Sequence, residues 1–241
     1  ITNEYSWRLI GKVNRVRALK TIVYSAPDHA EPIMPPSVVP QPPSPNVTGF
    51  LADNEGRQLF DWGLDAAPLG PLLEVGSYCG RSTIWLAQAA REANSIVLAL
   101  DHHRGSEEHQ PGESYHDSDL LDTDGRFDSL HAFRRNIAGA GLEPSVIPIV
   151  SDSATFARHW SGDLGMVFID GEHSLASALI DYRCWAPRVC AGGILAIHDV
   201  FPDPAEGGQA PFTIWRLAQE AGLFQSLGAI GSLRGLRRVA C

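Results

Sequence analysis

Two apolar runs in this chain end on acid and imidazole. Met166-Val167-Phe168-Ile169 runs into Asp170, with Glu172 and His173 just beyond; Ile194-Leu195-Ala196-Ile197 runs into His198 and Asp199. A carboxylate at the rim of a buried strand carries a charge that is costly to leave unpaired. A divalent cation would compensate it. Asp170 and Asp199, with water and two substrate oxygens, would form an oxygen-rich octahedral site suited to Mg²⁺ or Mn²⁺. An imidazole from His198 in that shell tilts the preference toward Mn²⁺, Fe²⁺ or Zn²⁺; alternatively His198 is no ligand and acts on the substrate. His173 and His198 are both candidate bases, because an unperturbed pKa of ~6.5 keeps much of an imidazole neutral at pH 7. The alternative for either histidine is an ordinary solvated or core residue.

A third segment, Leu72-Leu73-Glu74-Val75-Gly76-Ser77-Tyr78-Cys79-Gly80-Arg81-Ser82-Thr83, reads as an apolar strand entering a glycine-punctuated turn that opens a helix. Glycine at 76 and 80 permits a tight turn and a close approach to a ligand. The N–H groups at the helix start add a partly positive end. Such a turn holds a nucleotide-like ligand. It is not Gly-x-Gly-x-x-Gly, and no Lys-Ser/Thr follows Gly80, so neither the dinucleotide fingerprint nor a phosphate loop is present.

What remains, Glu-x-Gly-x-x-x-Gly-x-Ser, resembles motif I of class I S-adenosylmethionine (SAM) methyltransferases. Gly76-Ser77-Tyr78-Cys79-Gly80-Arg81-Ser82 is most similar to the catechol O-methyltransferase branch, which is metal-dependent. The resemblance spans about residues 50–241 and implies a seven-stranded doubly wound sheet. It implies SAM contacts at Glu74, Gly76, Ser77, Tyr78, Gly80 and Ser82. Asp101, which ends Leu98-Ala99-Leu100, would accept from the ribose hydroxyls, with His102 beside it. Asp152 and Ser153, at the adenine corner, would read the exocyclic amine. Asp101, Asp152 or Ser153 can equally cap helices.

Two departures from the catechol-type pattern stand out. His198-Asp199 replaces Asp-Asn after the fifth strand, and His173 replaces the lysine three residues past Asp170. The string Asp101-His102-His103-Arg104-Gly105-Ser106-Glu107-Glu108 resembles an actinobacterial group that includes a mannoside 1-O-methyltransferase. That likeness implies a saccharide hydroxyl as acceptor. Two other classes stay open: a hydroxylase or oxidoreductase with Fe²⁺ at Asp170 and His198, and a non-catalytic SAM-binding module acting as a dimer partner.

These residues need a frame, and the chain alternates as an α/β, doubly wound, mostly parallel fold should. Strands are expected at 72–75, 96–100, 146–150, 166–169 and 194–198, and helices at 82–93, 127–140, 153–160, 174–185 and 211–221. A closing hairpin is expected at 223–228 and 232–239. Ligands in such sheets sit beyond the carboxyl ends of the strands, where all the candidates fall. The irregular polar loop 102–124 is long enough to be a lid, with His102 and Arg104 nearest the site. Tyr115, Trp160, Phe201, Phe212 and Trp215 are rings that could stack on a sugar. A helix is expected over 49–64.

Ahead of this body (49–241), residues 1–48 form an extension. Arg8, Lys12, Arg15, Arg17 and Lys20 give its first twenty residues a net charge of +4. Leu9, Val13, Val16, Leu19 and Val23 recur at helical spacing. This helix either docks on a partner subunit or membrane surface, or packs on its own acidic body. Eight prolines between 27 and 45 impose an extended strap. The net charge of −9 argues against nucleic acid or anionic membrane as partners. A metal or neutral polar small molecule suits it better. Cys79, Cys184, Cys190 and Cys241 form no CxxC pair and read as reduced cytoplasmic thiols. No apolar run approaches the ~20 residues of a membrane span.

Overall fold

The computed structural model describes residues 39–106, 117–172 and 174–239, all within one unit, Val38–Cys241. The basic helix, most of the proline strap, the loop tip with Tyr115, and His173 lie outside the described residues.

Seven strands form one sheet: β1 (Leu72–Val75), β2 (Val97–Asp101), β3 (Val146–Val150), β4 (Leu164–Ile169), β5 (Val189–Ile197), β6 (Phe224–Ile230) and β7 (Leu233–Arg238). Their order is β3-β2-β1-β4-β5-β7-β6. The first five run parallel and β7 is antiparallel to both neighbours. Among the described residues six α-helices accompany them: α1 (Asp53–Ala66), α2 (Arg81–Glu92), α3 (Leu130–Gly139), α4 (Ser153–Ala157), α5 (Leu175–Trp185) and α6 (Ala210–Glu220).

The central strands β1, β2 and β4 are buried and almost wholly apolar because both faces are covered. Leu72 and Phe168 pack with Leu59, Phe60 and Trp85 on one side of the sheet. Their neighbours Leu73 and Val167 pack with Trp185 and Ile214 on the other. Chain order reverses between β1 and β4, which pair directly through Leu72↔Met166 to Val75↔Ile169. That reversal opens a crevice at the carboxyl ends of the two strands.

Element boundaries differ from expectation in several places: α1 starts at Asp53 rather than 49 and β4 at Leu164 rather than 166. β5 starts at Val189 rather than 194, because its Ala191-Gly192-Gly193 segment carries no apolar signal; a Cβ on Gly193 would lie 2.6 Å from the Gly165 carbonyl oxygen. α3 starts at Leu130 rather than 127, because Phe127 bridges back to Leu121 across a turn that Asp122 closes by accepting from the Asp124 and Arg126 N–H groups, both at 2.9 Å. Helix 153–160 stops at Ala157.

The expected 48/49 boundary falls inside the packed body. Gln88 on α2 accepts from the Gln41 N–H (2.8 Å) and donates to its carbonyl (2.9 Å). Val47 and Leu51 are buried, and Arg81 donates to the Leu51 carbonyl (2.9 Å) and to Asp53 (2.7 Å). The described end of the strap is thereby tied to the first turn of α2.

Candidate active site

Beyond the carboxyl ends of the central strands lies a cavity of about 610 Å³. Its wall includes Gly76, Ser77, Tyr78, Ser82, Asp101, His102, Asp152, Ser153, Asp170 and Asp199. Residues expected to cooperate from five separate segments therefore meet at one opening.

The turn after β1 is shaped by the chain's own packing. Gly76 has φ +88°, and a Cβ there would sit 2.2 Å from the Asp170 carbonyl oxygen. Gly80 has φ +90° and faces Phe133 and Ile137 of α3. It stands behind the cavity wall, where its missing side chain makes room for α3. Glu74 is set back as well. It is fully buried behind the turn, where it accepts from the Thr83 hydroxyl, and burial pushes its carboxyl up to about 8 despite hydrogen bonds from Ser82 and Thr83. It braces the start of α2 and does not reach the cavity.

Asp101 joins two loops. Its Oδ2 accepts from the Tyr78 N–H (2.8 Å) and its Oδ1 from the His103 N–H (2.7 Å). Both donors sit in the left-handed region, Tyr78 at φ 46° and His103 at φ 58°. That conformation is costly for residues with a Cβ, and the shared carboxylate holds both in it. Tyr78 stacks between Phe50 (6.1 Å) and Phe127 (6.2 Å). Ser77 lines the cavity, and its Oγ is buried with no hydrogen-bond partner among the described residues.

At the third corner Asp152 caps α4, accepting from the Thr155 N–H at 2.8 Å, and that bond is the main cause holding its carboxyl below the usual range. Ser153 accepts from Trp185 Nε1 (3.1 Å). Buried Asp181, which the sequence did not single out, also lines the cavity, and burial pushes its carboxyl up to about 6.

The rim formed by β4 and β5 is a network of charges. His198 Nδ1 lies 3.0 Å from Asp170 Oδ1 and 3.5 Å from Asp199 Oδ1, and its Nε2 lies 3.1 Å from Glu55 Oε2. One atom from each of Asp170, His198 and Asp199 falls within a sphere where all are within 4.8 Å of one another. Burial opposes a charge on the ring, but Asp170, Asp199 and Glu55 outweigh it and push His198 up to about 12. Both ring nitrogens of His198 are thereby engaged by carboxylates. Asp199 adopts φ 54°, a conformation that Asp tolerates better than most residues.

Glu55, on the first turn of α1, is the residue the sequence reading missed. It is buried and accepts from Ser232 N (2.7 Å), Ser232 Oγ (3.1 Å) and Ala52 N (3.2 Å) besides His198. Burial raises its pKa, yet His198 and these N–H donors bring it down to about 2. The one signal was its spacing from Ala52, that of the acidic member of a capping box.

Other expectations are redistributed. Arg104 turns to Asp122 (3.1 Å), Asp128 (3.3 Å) and the Phe127 carbonyl, away from the cavity wall. Phe201 lines the cavity. Trp160, Phe212 and Trp215 pack at the edge of the core.

A methyltransferase-domain family profile matches residues 73–200, more than half of the chain. The chain belongs to this methyltransferase family. The matched span runs from β1 to the residue after Asp199 and contains the glycine turn and the charged rim. Solved structures with the same fold include the O-methyltransferase TomG from Streptomyces achromogenes, involved in tomaymycin synthesis and determined with SAM. It is 15% identical over 81% of this chain and 83% of its own, at a TM-score of 0.54. A Bacillus cereus O-methyltransferase in complex with S-adenosylhomocysteine is 17% identical over 80% and 85%, at 0.55. The O-methyltransferase NovP is 16% identical over 77% and 79%, at 0.57. These likenesses establish the seven-stranded methyltransferase fold. No helix among the described residues is long and apolar enough to cross a membrane.

Proposed function

We propose that this methyltransferase moves the methyl group of SAM to a hydroxyl of a small, neutral, polar acceptor, a saccharide best of all, with a divalent cation at the β4–β5 rim. The observation that carries this reading is that Asp170 and Asp199 open onto the same cavity as the glycine turn. SAM brings the methyl on a sulfonium. In this reading Ser77 lines its pocket, Asp101 keeps lone pairs for ribose hydroxyls, and Asp152 and Ser153 serve the adenine.

Two carboxylates and an imidazole within 4.8 Å are a donor set that fits a divalent cation. When bound, such a cation lowers the pKa of a ligated hydroxyl. Asp170 and Asp199 orient the acceptor oxygen toward the donor methyl, which supplies proximity and alignment. With His198 committed to carboxylates, His173 is the base in this reading. Seven carboxylate side chains and one guanidinium line the cavity among the described residues. This balance disfavours anionic acceptors and suits a neutral polyol.

The test is transfer of isotope-labelled methyl from SAM to a panel of saccharides, catechols and carboxylates, with and without chelator. Label on a saccharide hydroxyl that chelation suppresses is expected. Label on carboxylates or catechols alone, or full turnover in excess chelator, contradicts the reading.

A further inference from the structure

Glu55 comes from α1, outside the matched family span, and reaches across 143 residues of chain to the ring of His198. Its carboxylate is buried and over-determined: Ser232 on the β6–β7 turn and Ala52 at the start of α1 fix it from two directions. The geometry leaves the two ring nitrogens with different duties. Nε2 points at Glu55, away from the cation cluster, while Nδ1 is the ring atom beside Asp170 and Asp199.

We propose that Glu55 is a positioning residue that commits Nε2 of His198 and so presents Nδ1 as the nitrogen of a one-nitrogen, two-carboxylate cation site. This rests on the cation reading above and deepens it. A carboxylate behind a ligating histidine fixes its tautomer and ring orientation and raises its basicity. Coordination through Nδ1 sends the proton shared with Asp170 to solvent, while Nε2–H stays on Glu55. An imidazole in place of a third oxygen donor selects against Mg²⁺, which demands hard oxygen ligands, and favours Mn²⁺ or a later first-row divalent ion. The pair Glu55 and His198 therefore sets which metal the site takes.

The experiment uses the full chain, stripped of metal, with Mn²⁺ as probe and Mg²⁺ as competitor, read by electron paramagnetic resonance. Wild type is expected to bind Mn²⁺ with a hyperfine coupling from an imidazole nitrogen, and at least tenfold more tightly than Mg²⁺. Glu55→Leu is expected to weaken Mn²⁺ binding by about 10- to 100-fold, and His198→Asn to abolish the nitrogen coupling. S-adenosylhomocysteine affinity, measured in parallel, reports that each variant is folded. Mn²⁺ bound without nitrogen coupling in wild type, or an unchanged affinity in folded Glu55→Leu, overturns the inference and leaves the cation reading standing. Absence of Mn²⁺ and Mg²⁺ binding in protein that still takes up S-adenosylhomocysteine overturns both.

Discussion

The turn between β1 and α2 and the rim formed by β4 and β5 border one cavity, yet different forces hold them. The turn is fixed by steric fit and backbone hydrogen bonds: Gly76 lies against the Asp170 carbonyl, Gly80 against Phe133, and the Tyr78 and His103 N–H groups lie on Asp101. The rim is held by charged groups: the carboxylates of Asp170, Asp199 and Glu55 surround the imidazole of His198. A corner built by packing keeps its shape when solution conditions change. A corner built by buried charge answers to pH and to cations, because each member is costly without its counter-ion. The first property suits a constant cofactor, the second a reacting centre.

That contrast predicts where substitutions act. The largest effect is expected at the rim: Asp170→Ala should lower kcat/KM by about 10³-fold, or about 4 kcal/mol, while calorimetry shows S-adenosylhomocysteine binding within a few-fold of wild type. Equal loss of cofactor binding would erase the distinction between the corners. At the turn, Gly76→Ala forces a Cβ against a backbone oxygen at positive φ, and should cost about 3 kcal/mol in urea unfolding together with cofactor affinity.

A smaller effect depends on pH. Glu74 titrates near 8 in the folded chain against 4.5 ordinarily, so between these values the folded state holds more protons than the unfolded one. Stability from this group therefore falls as pH rises from about 5 to 8. Glu74→Gln should remove that slope, gaining about 2 kcal/mol relative to wild type on going from pH 5 to pH 6.5. Parallel unfolding curves for the two proteins across this range would contradict it. Smallest of all, Gln88→Ala removes the two bonds to Gln41. It should cost about 1 kcal/mol of stability and leave kcat within about twofold.

The rim was legible in the sequence because strands buried on both faces are unbroken apolar runs, and a carboxylate at the end of such a run stands out. Asp170, His198 and Asp199 were found that way, and Asp101 by the same logic. Glu55 was not, since an acid in the first turn of a surface helix is commonplace, and its partner arrives only once β5 and α1 pack together. For Glu74 and Gly80, spacing reveals that a turn is tight without revealing that one is buried behind it and the other faces α3. Arg81, not singled out in the sequence, both lines the cavity and anchors the strap at Leu51 and Asp53. The start of β5 was hidden by small residues whose place in the sheet depends on Gly165 of the neighbouring strand.

The most direct test of how these two corners work together is a crystal structure of the full chain with S-adenosylhomocysteine. Its ribose should lie on Asp101, its adenine near Asp152 and Ser153, and its sulfur should face the space in front of Asp170 and Asp199. A sulfur turned away from those two carboxylates, or a nucleoside bound outside this cavity, would contradict methyl transfer at the β4–β5 rim.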